Sequence, residues 1–432
     1  MRTSFKHSIS NPAQFKQQLL VWAQHFREVI FLDSNQYPQQ YSSYDCVLAV
    51  DAFTSIKTDY HNAFEDLKVY QQTTKDWLFG YLSYDLKNDV EELQSANGDQ
   101  LEFPDLFFFQ PKKIFLLKDN DLEIHYLNMC DDELHDDLEE IVNLETILED
   151  SNTVIEIQQR IPKEQYLLKI KEMLVHIHRG DIYEANFCME FYADYTEINP
   201  LEMYHKLNVI SETPFAAYFK NNKQFLLCAS PERYLRKEGT KVITQPIKGT
   251  AKRNFDLIAD NQAMEDLQAD PKERAENTMI VDLVRNDLSH TAEKGSVKVE
   301  ELCAIYTFKQ VHQMISTIVS EVAHHISPVD IIKTTFPMGS MTGAPKISAM
   351  KIIEDLEETK RGLYSGAIGY FTPDGNFDFN VVIRSILYNH ENQYVSFSVG
   401  SAITAQSIPE NEYEECLLKA KAMRQVLNNQ QE

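Results

Sequence analysis

The chain has 432 residues, enough for one large domain or for two domains that each bury a sizeable core. Its apolar fraction of 43% and charged fraction of 25% are typical of a soluble globular protein. A formal charge of −25 argues against nucleic-acid binding, because phosphate recognition needs clustered lysine and arginine. A small anionic ligand is not excluded, since it responds to the local field of a cleft rather than to net charge.

The sequence predicts neither a secretion signal nor a membrane span. The N-terminus lacks an apolar core, and no segment approaches the roughly 18 apolar residues that a spanning helix needs. The six cysteines show no CxxC spacing, which argues against a zinc site or a disulfide framework and favours a reducing compartment. We therefore expect a cytoplasmic protein that has no membrane partner.

Short β-like segments dominate the first 150 residues, and an acidic stretch follows them. The β-like segments are residues 29–33, 47–52, 77–84, 113–117 and 122–126. Residues 131–150 contain ten aspartates and glutamates and no lysine or arginine, which indicates a solvated helical connector. We place the domain boundary there, between an N-terminal subdomain over 1–155 and a second domain over 160–428.

The second domain alternates between helical and β-like segments. Helices are predicted over 163–179, with Gly180 as C-cap, from Asp270-Pro271 to 287, over 344–360 and over 407–427. Strands are predicted over 182–192, in hairpins 215–219/225–229 and 234–236/242–245, and over 366–372, 377–388 and 394–399. Mostly antiparallel strands without a βαβ rhythm indicate an α+β fold.

Lys248 is a candidate catalytic lysine, because it lies between Ile247 and Gly249 where an apolar hairpin gives way to a polar loop. An ammonium held near apolar surface loses its charge more easily and becomes a nucleophile or base. A nearby carboxylate such as Glu232, in Ser-Pro-Glu-Arg, would then handle the protons. The alternative is an ordinary exposed lysine at a strand end.

Two helices carry acidic pairs. Glu273 and Glu276 lie one turn apart on the first, and Glu412 and Glu415 form a stripe with Lys419 on the last. Each pair alone is compatible with a solvated acidic face. If the pairs face each other, their oxygens would bind a hard cation such as Mg²⁺, and Lys419 would bind a substrate carboxylate.

Three further features lie nearby. Arg384 occupies a predicted strand with two apolar faces, so its buried guanidinium needs an anion, either a structural carboxylate or a ligand carboxylate. The small residues around Gly400 could expose backbone N–H groups as an anion-binding nest. His312 stands alone in an apolar segment, where a histidine is more often a core residue than a catalyst.

In this order, the motifs resemble the chorismate-utilising enzymes, the family of component I of anthranilate synthase and aminodeoxychorismate synthase, with isochorismate and salicylate synthases as relatives. The resemblance spans about residues 160–425 and implies a large, mostly antiparallel β-sandwich with surrounding helices, the second domain binding chorismate. The segments that carry it are GDIY (180–183), SPER (230–233), PIKGT (246–250), AENTMIVDLVRNDL (275–288), FPMGSMTGAPK (336–346), RGLYSGA (361–367) and IRS (383–385).

The resemblance implies a role for each matching residue. Glu276 and Glu415, with Glu273 and Glu412 beside them, would bind Mg²⁺ and through it the ring carboxylate of chorismate. The residues that would hold the substrate carboxylates are Tyr364, Arg384, Lys419 and the amides of Gly400, Ser401 and Ala402, with the Ser340 hydroxyl where many members have threonine. Glu232 matches the acid that protonates the departing C4 hydroxyl, and His312 matches an active-site histidine.

Lys248 distinguishes the branches of the family. Anthranilate and isochorismate synthases carry alanine there, whereas aminodeoxychorismate synthases typically carry lysine, which attacks C2 of chorismate before ammonia adds at C4. The resemblance thus implies 4-amino-4-deoxychorismate, the precursor of 4-aminobenzoate and folate. The alternatives are anthranilate synthase component I and a non-catalytic subunit that binds chorismate or tryptophan.

Glu184 departs from the family pattern. The GDIY segment usually continues with glutamine in the aminating enzymes, and with lysine in those that activate water. Nothing in the sequence resembles the Cys-His-Glu triad of a glutamine amidotransferase, so ammonia is expected from a separate amidotransferase subunit. Leu32-Asp33-Ser34 resembles the tryptophan-binding segment of the family and implies tryptophan as a further ligand.

Overall fold

The computed structural model describes residues 1–146 and 154–428. The last part of the predicted acidic connector, residues 147–150, lies outside the described residues. The helices are α1 Pro12–Trp22, α2 Ala63–Thr74, α3 Lys87–Val90, α4 Leu134–Asn143, α5 Lys163–Arg179, α6 Pro200–Ser211, α7 Leu257–Ala269, α8 Pro271–Ser289, α9 Pro328–Thr335, α10 Lys346–Leu356 and α11 Pro409–Asn428.

The strands form one connected antiparallel network within the described residues. They are β1 Arg2–Ser8, β2 Glu28–Asp33, β3 Cys46–Thr58, β4 Leu78–Leu82, β5 Leu106–Lys118, β6 Asp121–Leu127, β7 Gln158–Gln159, β8 Glu184–Ala193, β9 Phe215–Asn221 and β10 Gln224–Ser230. The remainder are β11 Arg233–Glu238, β12 Lys241–Gln245, β13 Ile247–Lys252, β14 Lys298–Thr307, β15 Val311–Glu321, β16 Gly343–Ala344, β17 Ala367–Phe371, β18 Phe377–Val381, β19 Ser385–Asn389 and β20 Tyr394–Thr404.

The network divides at the 13-residue strand β5. One edge of β5 pairs with β3 along most of its length, and from there the order runs β2, β9, β10, β19, β20 and β8. The other edge pairs with β6 at one end and with β4 at the other, and from β4 the order continues through β17, β18, β11, β12 and β15. The predicted antiparallel α+β fold is confirmed.

Both faces of the central strands are buried. In β2, Val29 and Phe31 pack in a cluster with the helices α1, α4, α5, α6, α10 and α11, whereas Ile30 packs in a second cluster between the sheets. This period-two alternation follows from strand geometry, and it explains why β2 reads as a continuous apolar run. Pairing of β2 with β9 and of β4 with β17 joins the first 155 residues to the rest of the chain, and the predicted domain boundary stays a prediction.

Several predicted elements are confirmed, and others need correction. The helix over residues 163–179 ends at Gly180, whose φ of 90° is the left-handed C-cap conformation. Both hairpins form as β9–β10 and β11–β12. The predicted strand 377–388 is instead two strands, β18 and β19, separated at residues 382–384, where Arg384 has a φ of 51°. In the second domain, α6, α7 and α9 lie where no helix was predicted.

All six cysteines carry free, buried thiols. None of the described helices is long and apolar enough to cross a bilayer.

Candidate active site

A cavity of about 610 Å³ opens between β13, β20, α8 and α11. Its volume lies within the range of about 300–1,000 Å³ that is usual for small-molecule sites. Most of the residues singled out in the sequence line it. They are Glu232, Lys248, Glu273, Glu276, Ser340, Tyr364, Arg384, Gly400, Ala402, Glu415 and Lys419. The cavity therefore gathers residues that are distant in sequence around one space.

Lys248, the second residue of β13, pairs with a carboxylate behind the cavity wall. Its Nζ donates a hydrogen bond to Glu184 Oε1 over 2.6 Å, and its side chain is 10% exposed. Burial lowers the pKa of Lys248, but the carboxylates of Glu184, Glu276 and Glu232 outweigh that effect and raise the pKa above its ordinary value. The prediction that apolar surroundings favour loss of the charge is therefore wrong for this resting site, because the ammonium faces carboxylates.

Glu232 is a buried carboxyl group held by a serine hydroxyl. It follows β10, and Ser340 Oγ donates a hydrogen bond of 2.6 Å to its Oε1. Burial raises the pKa of Glu232 to about 7, although Ser340 and Lys248 both oppose the rise. A carboxyl group that is partly protonated near neutral pH can act as a general acid.

Arg384 presents an unpaired guanidinium to the cavity. The break between β18 and β19 places it there, and no carboxylate of the described residues lies within 4.0 Å of it. Burial lowers the pKa of Arg384 to about 10, while the charge of Glu232 opposes this shift. Of the two alternatives for its anion, the geometry favours a ligand carboxylate over a structural one.

The acidic helices α8 and α11 face each other across the cavity. Burial raises the pKa of Glu276 to about 7, and Glu276 Oε1 is buried without a hydrogen-bond partner. Burial also raises the pKa of Glu273 and of Glu412, with further contributions from neighbouring Glu415. Lys272 lies 3.8 Å from Glu276 and 3.7 Å from Glu412, so one lysine is shared between the two helices.

These glutamates fit Mg²⁺, although they do not form a closed cage. Among the described residues, no group of three or more carboxylates, histidines or cysteines is close enough together to hold a metal. Mg²⁺ typically takes only one or two carboxylates and keeps water or substrate oxygens at its other positions. Glu276 and Glu415 line the cavity and can supply those two, whereas Glu412 is buried beside it.

The Gly400–Ala402 segment is an extended strand rather than a compact nest. Gly400 and Ala402 line the cavity, whereas Ser401 points to the opposite face of β20, where Tyr166 OH lies 3.2 Å from its Oγ. A side chain at Gly400 would place Cβ 2.7 Å from Cys188 Sγ, so only glycine fits there. Ser401 is thus not brought to the cavity, because side chains alternate along a strand.

Lys419 and Tyr364 complete the wall. Lys419 Nζ donates a hydrogen bond of 2.8 Å to Gly400 O and contacts Glu415 Oε1 at 2.7 Å. Burial raises the pKa of Glu415, but Lys419 reverses the shift and keeps that carboxylate charged. Tyr364 is buried, and its hydroxyl lies 3.9 Å from Cys188 Sγ.

The structure does not bring His312 to the cavity. Its ring nitrogens lie 3.0 Å from Thr307 Oγ1 and 3.1 Å from Asp260 Oδ1. The next residue on β15, Gln313, does line the cavity, and its Oε1 is buried without a hydrogen-bond partner. Successive side chains of a strand point to opposite faces, so His312 and Gln313 face different sides of β15. The sequence predicts this separation once β15 is recognised as a strand.

Replacement of Gln313 should affect ligand binding, whereas replacement of His312 should affect stability. We expect Gln313→Ala to weaken binding of the cavity's ligand by about 1–3 kcal/mol, because the ligand would lose a buried hydrogen-bond acceptor. We expect His312→Ala to lower the melting temperature and to leave ligand affinity within a factor of about three, since its partners are structural. Calorimetric titration and thermal unfolding of both variants check this, and equal losses of affinity would contradict it.

The Leu32-Asp33-Ser34 segment lines a different, smaller cavity of about 60 Å³ together with Arg233 and Asp378. Asp33 accepts a hydrogen bond of 2.7 Å from Lys16 Nζ, and Ser34 Oγ is buried without a partner. Tryptophan as a ligand of this segment stays a prediction.

Arg384, Lys248 and Lys419 share one cavity with facing glutamates, and this arrangement is typical of an enzyme that acts on a small anionic molecule. Comparison with known proteins identifies the family. The family described as chorismate binding enzyme matches residues 14–425, and the chain belongs to it.

Individual relatives differ in the reaction that their names state. An anthranilate synthase component I-like protein of Synechocystis sp. is 34% identical over 360 residues, 81% of this chain and 72% of that protein. Aminodeoxychorismate synthase component 1 of Bacillus subtilis is 31% identical over 392 residues, 88% of this chain and 81% of that protein. The crystal structure of anthranilate synthase component I from Streptococcus pneumoniae shares 25% identity and superposes with a TM-score of 0.79, covering 90% of this chain and 94% of that chain.

Proposed function

We propose that the chain is the chorismate-aminating component of an aminodeoxychorismate synthase, and that it converts chorismate and ammonia to 4-amino-4-deoxychorismate. The observation that carries the proposal is the position of Lys248. Its ammonium lies in the wall of the cavity, near enough to the carboxyl of Glu232 to affect its pKa. An amine and an acid in one site are the two groups that a covalent substitution at an allylic alcohol needs.

The proposed reaction has two substitutions. The Lys248 amine forms a bond to C2 of chorismate, the ring double bonds C1=C2 and C5=C6 move to C1=C6 and C4=C5, and the C4 hydroxyl leaves as water with a proton from Glu232. Ammonia then forms a bond to C4, the double bonds return to C1=C2 and C5=C6, and the bond between C2 and the lysine nitrogen breaks. In each substitution the nucleophile bonds to one ring carbon and the leaving group departs from the other. After both substitutions the ring has its original double bonds, with nitrogen in place of oxygen at C4.

The remaining residues would hold and orient the substrate. Arg384 offers its unpaired guanidinium to one carboxylate, and Lys419 offers its ammonium to the other. Mg²⁺, bound by Glu276 and Glu415, would neutralise the ring carboxylate and polarise the ring toward attack. Ser340 keeps the proton of Glu232 directed to one oxygen through their 2.6 Å hydrogen bond.

The ammonia source would be a separate glutamine amidotransferase subunit, and the product would serve 4-aminobenzoate and folate synthesis. The relatives in B. subtilis and E. coli are named component 1, which fits a second component. The cavity opens to solvent, so free ammonia at high concentration should replace the partner in an assay.

Anthranilate synthase component I is the second candidate. It is favoured by the relative in Aquifex aeolicus, which carries that name and is 31% identical over 81% of this chain. The two candidates use the same substrate, metal and nitrogen donor, and they differ in the carbon that receives nitrogen.

The products separate the two candidates. The purified chain is incubated with chorismate, Mg²⁺ and an ammonium salt, and the mixture is analysed by liquid chromatography and fluorescence. We expect a product that an added aminodeoxychorismate lyase converts to 4-aminobenzoate. Fluorescent anthranilate formed without the lyase would contradict the proposal.

Loss of either proposed metal ligand should weaken Mg²⁺ binding. We expect Glu276→Gln and Glu415→Gln each to raise the Mg²⁺ concentration for half-maximal activity at least about tenfold, because one of two carboxylate ligands is removed. We also expect Mg²⁺ to raise the melting temperature of the wild type more than that of either variant.

Glu414→Gln is the matched control, since Glu414 lies on the same helix and is exposed beside Lys163. Equal Mg²⁺ dependence in all four proteins would exclude these metal ligands.

A further inference from the structure

Glu184 occupies an unusual place behind Lys248. It is the first residue of β8, 1% exposed, and does not line the cavity. Its Oε1 accepts the 2.6 Å hydrogen bond from Lys248 Nζ, and its Oε2 is buried without a hydrogen-bond partner among the described residues. A buried carboxylate oxygen without a hydrogen-bond partner lowers the stability of the folded protein, and a catalytic role is one explanation for keeping it.

Other charged groups face the lysine, but none of them makes the same contact. On the cavity side, the charge of Lys248 shifts or is shifted by the charges of four carboxylates. They are those of Glu232, Glu273, Glu276 and Glu415. Among the described residues, Glu184 alone forms an ion pair within 4.0 Å of Lys248 Nζ. The cavity carboxylates are available for metal and substrate, whereas Glu184 is available for the lysine only.

The proposed reaction requires the lysine to become neutral before it attacks. Substrate that fills the cavity removes water, and two opposite charges buried together then cost more free energy than a neutral pair. A proton that moves from the ammonium to the adjacent carboxylate neutralises both groups at once. No solvent path is needed, because donor and acceptor are already hydrogen bonded.

We propose that Glu184 is the positioning residue and proton partner of Lys248. Glu184 holds Nζ at the cavity wall, takes a proton from Nζ before the lysine attacks chorismate, and returns the proton after the lysine has left the product. This inference rests on the proposed amination of chorismate through Lys248.

The protons balance over one cycle. Lys248 gives one proton to Glu184, forming an amine and a carboxylic acid. The amine attacks C2, the C4–O bond breaks, and Glu232 gives its proton to the leaving hydroxyl, which departs as water. Ammonia attacks C4, the bond between C2 and the lysine nitrogen breaks, and the lysine leaves as an amine. Glu184 then returns the proton to Lys248, and the new ammonium group of the product returns one to Glu232.

The test uses the pH dependence of Glu184→Gln, which keeps the shape and a hydrogen-bond acceptor but cannot take a proton. Without Glu184, the lysine must lose its proton to solvent before chorismate binds, so the rate follows the fraction of neutral lysine in the free enzyme. We expect kcat/KM for chorismate to fall at least about tenfold below wild type at pH 7. The difference in kcat/KM between wild type and Glu184→Gln should become smaller as pH rises, and it should approach a factor of about three near pH 9.5.

The experiment compares wild type, Glu184→Gln, Lys248→Ala and a control, Glu190→Gln, at constant free ammonia in the full chain. Glu190 is a buried carboxylate on the same strand, paired with Arg160 at 3.1 Å and away from the cavity. Dividing variant by wild-type rates at each pH cancels the contribution of Glu232. If Glu184→Gln does not fold, Glu184→Ala is assayed with and without formate, which should restore the rate below pH 8.

A pH-independent ratio, or no effect of formate, would overturn the role of Glu184 while leaving the amination intact. Full activity of Lys248→Ala would instead overturn the covalent step through Lys248, and failure of the wild type to form 4-amino-4-deoxychorismate would overturn the proposed function itself. The inference is supported if the rate of Glu184→Gln relative to wild type rises with pH while the relative rate of Glu190→Gln stays constant.

Discussion

Lys248→Ala is expected to slow the formation of 4-amino-4-deoxychorismate from chorismate and ammonia by at least about 1,000-fold, because removal of a covalent nucleophile removes the pathway. Chorismate binding should be retained, since Arg384, Lys419 and the glutamates proposed to bind Mg²⁺ are unchanged. Steady-state rates from coupled 4-aminobenzoate formation, together with calorimetric titration of chorismate, measure the two quantities separately.

Lys298→Ala is the control for this variant, because Lys298 is an exposed lysine at the start of β14. An activity within a factor of about ten of wild type for Lys248→Ala would show that ammonia attacks chorismate directly. The lysine would then be an electrostatic residue, and the proposal of two successive substitutions would be wrong.

Glu232→Gln is expected to lower the rate by about 100- to 10,000-fold and to change its pH dependence. As a general acid, Glu232 acts only while protonated, and its pKa is raised to about 7 by burial. The wild-type rate should therefore fall as pH rises above about 7, approaching tenfold per pH unit. The variant has no proton to lose, so its residual rate should lack this alkaline limb.

The measurement is kcat/KM for chorismate between pH 5.5 and 9 with free ammonia held constant, because this ratio reports the pKa values of the free enzyme. Glu238→Gln serves as the control, because Glu238 lies at the exposed end of β11 and its carboxylate pairs with Arg236. A persistent alkaline limb in Glu232→Gln would assign the titration to another group.

Much of the cavity could be predicted from local patterns. The one-turn spacing of Glu273 and Glu276 after Asp270-Pro271 places both on one face of α8, as the structure shows. The same reasoning locates Glu415 and Lys419 on α11. Such patterns are reliable because helix geometry fixes which residues share a face, whatever the tertiary structure.

Features that depend on long-range packing could not be predicted. The guanidinium of Arg384 reaches the cavity through a break between β18 and β19, which the apolar sequence around it does not reveal. Whether His312 or its neighbour Gln313 faces the cavity depends on the register of β15 against β13, where Thr250 pairs with Gln313. A one-residue change of register exchanges the two faces of a strand.

The protonation of Lys248 shows the same limit. Apolar neighbours in sequence suggested a lysine that loses its charge, yet the groups that surround Nζ come from β8, α8 and the loop after β10. Their carboxylates raise the pKa of Lys248, so the proposed attack on chorismate requires the ammonium to lose a proton first.

The mass of the protein during turnover tests the covalent role of Lys248 most directly. The chain is mixed with chorismate and Mg²⁺ without ammonia, quenched in acid within seconds, digested and analysed by mass spectrometry. We predict that the peptide containing Lys248 gains the mass of chorismate minus water, and that the gain disappears when ammonia is added before the quench. An unmodified Lys248 peptide in a preparation that aminates chorismate would contradict the account.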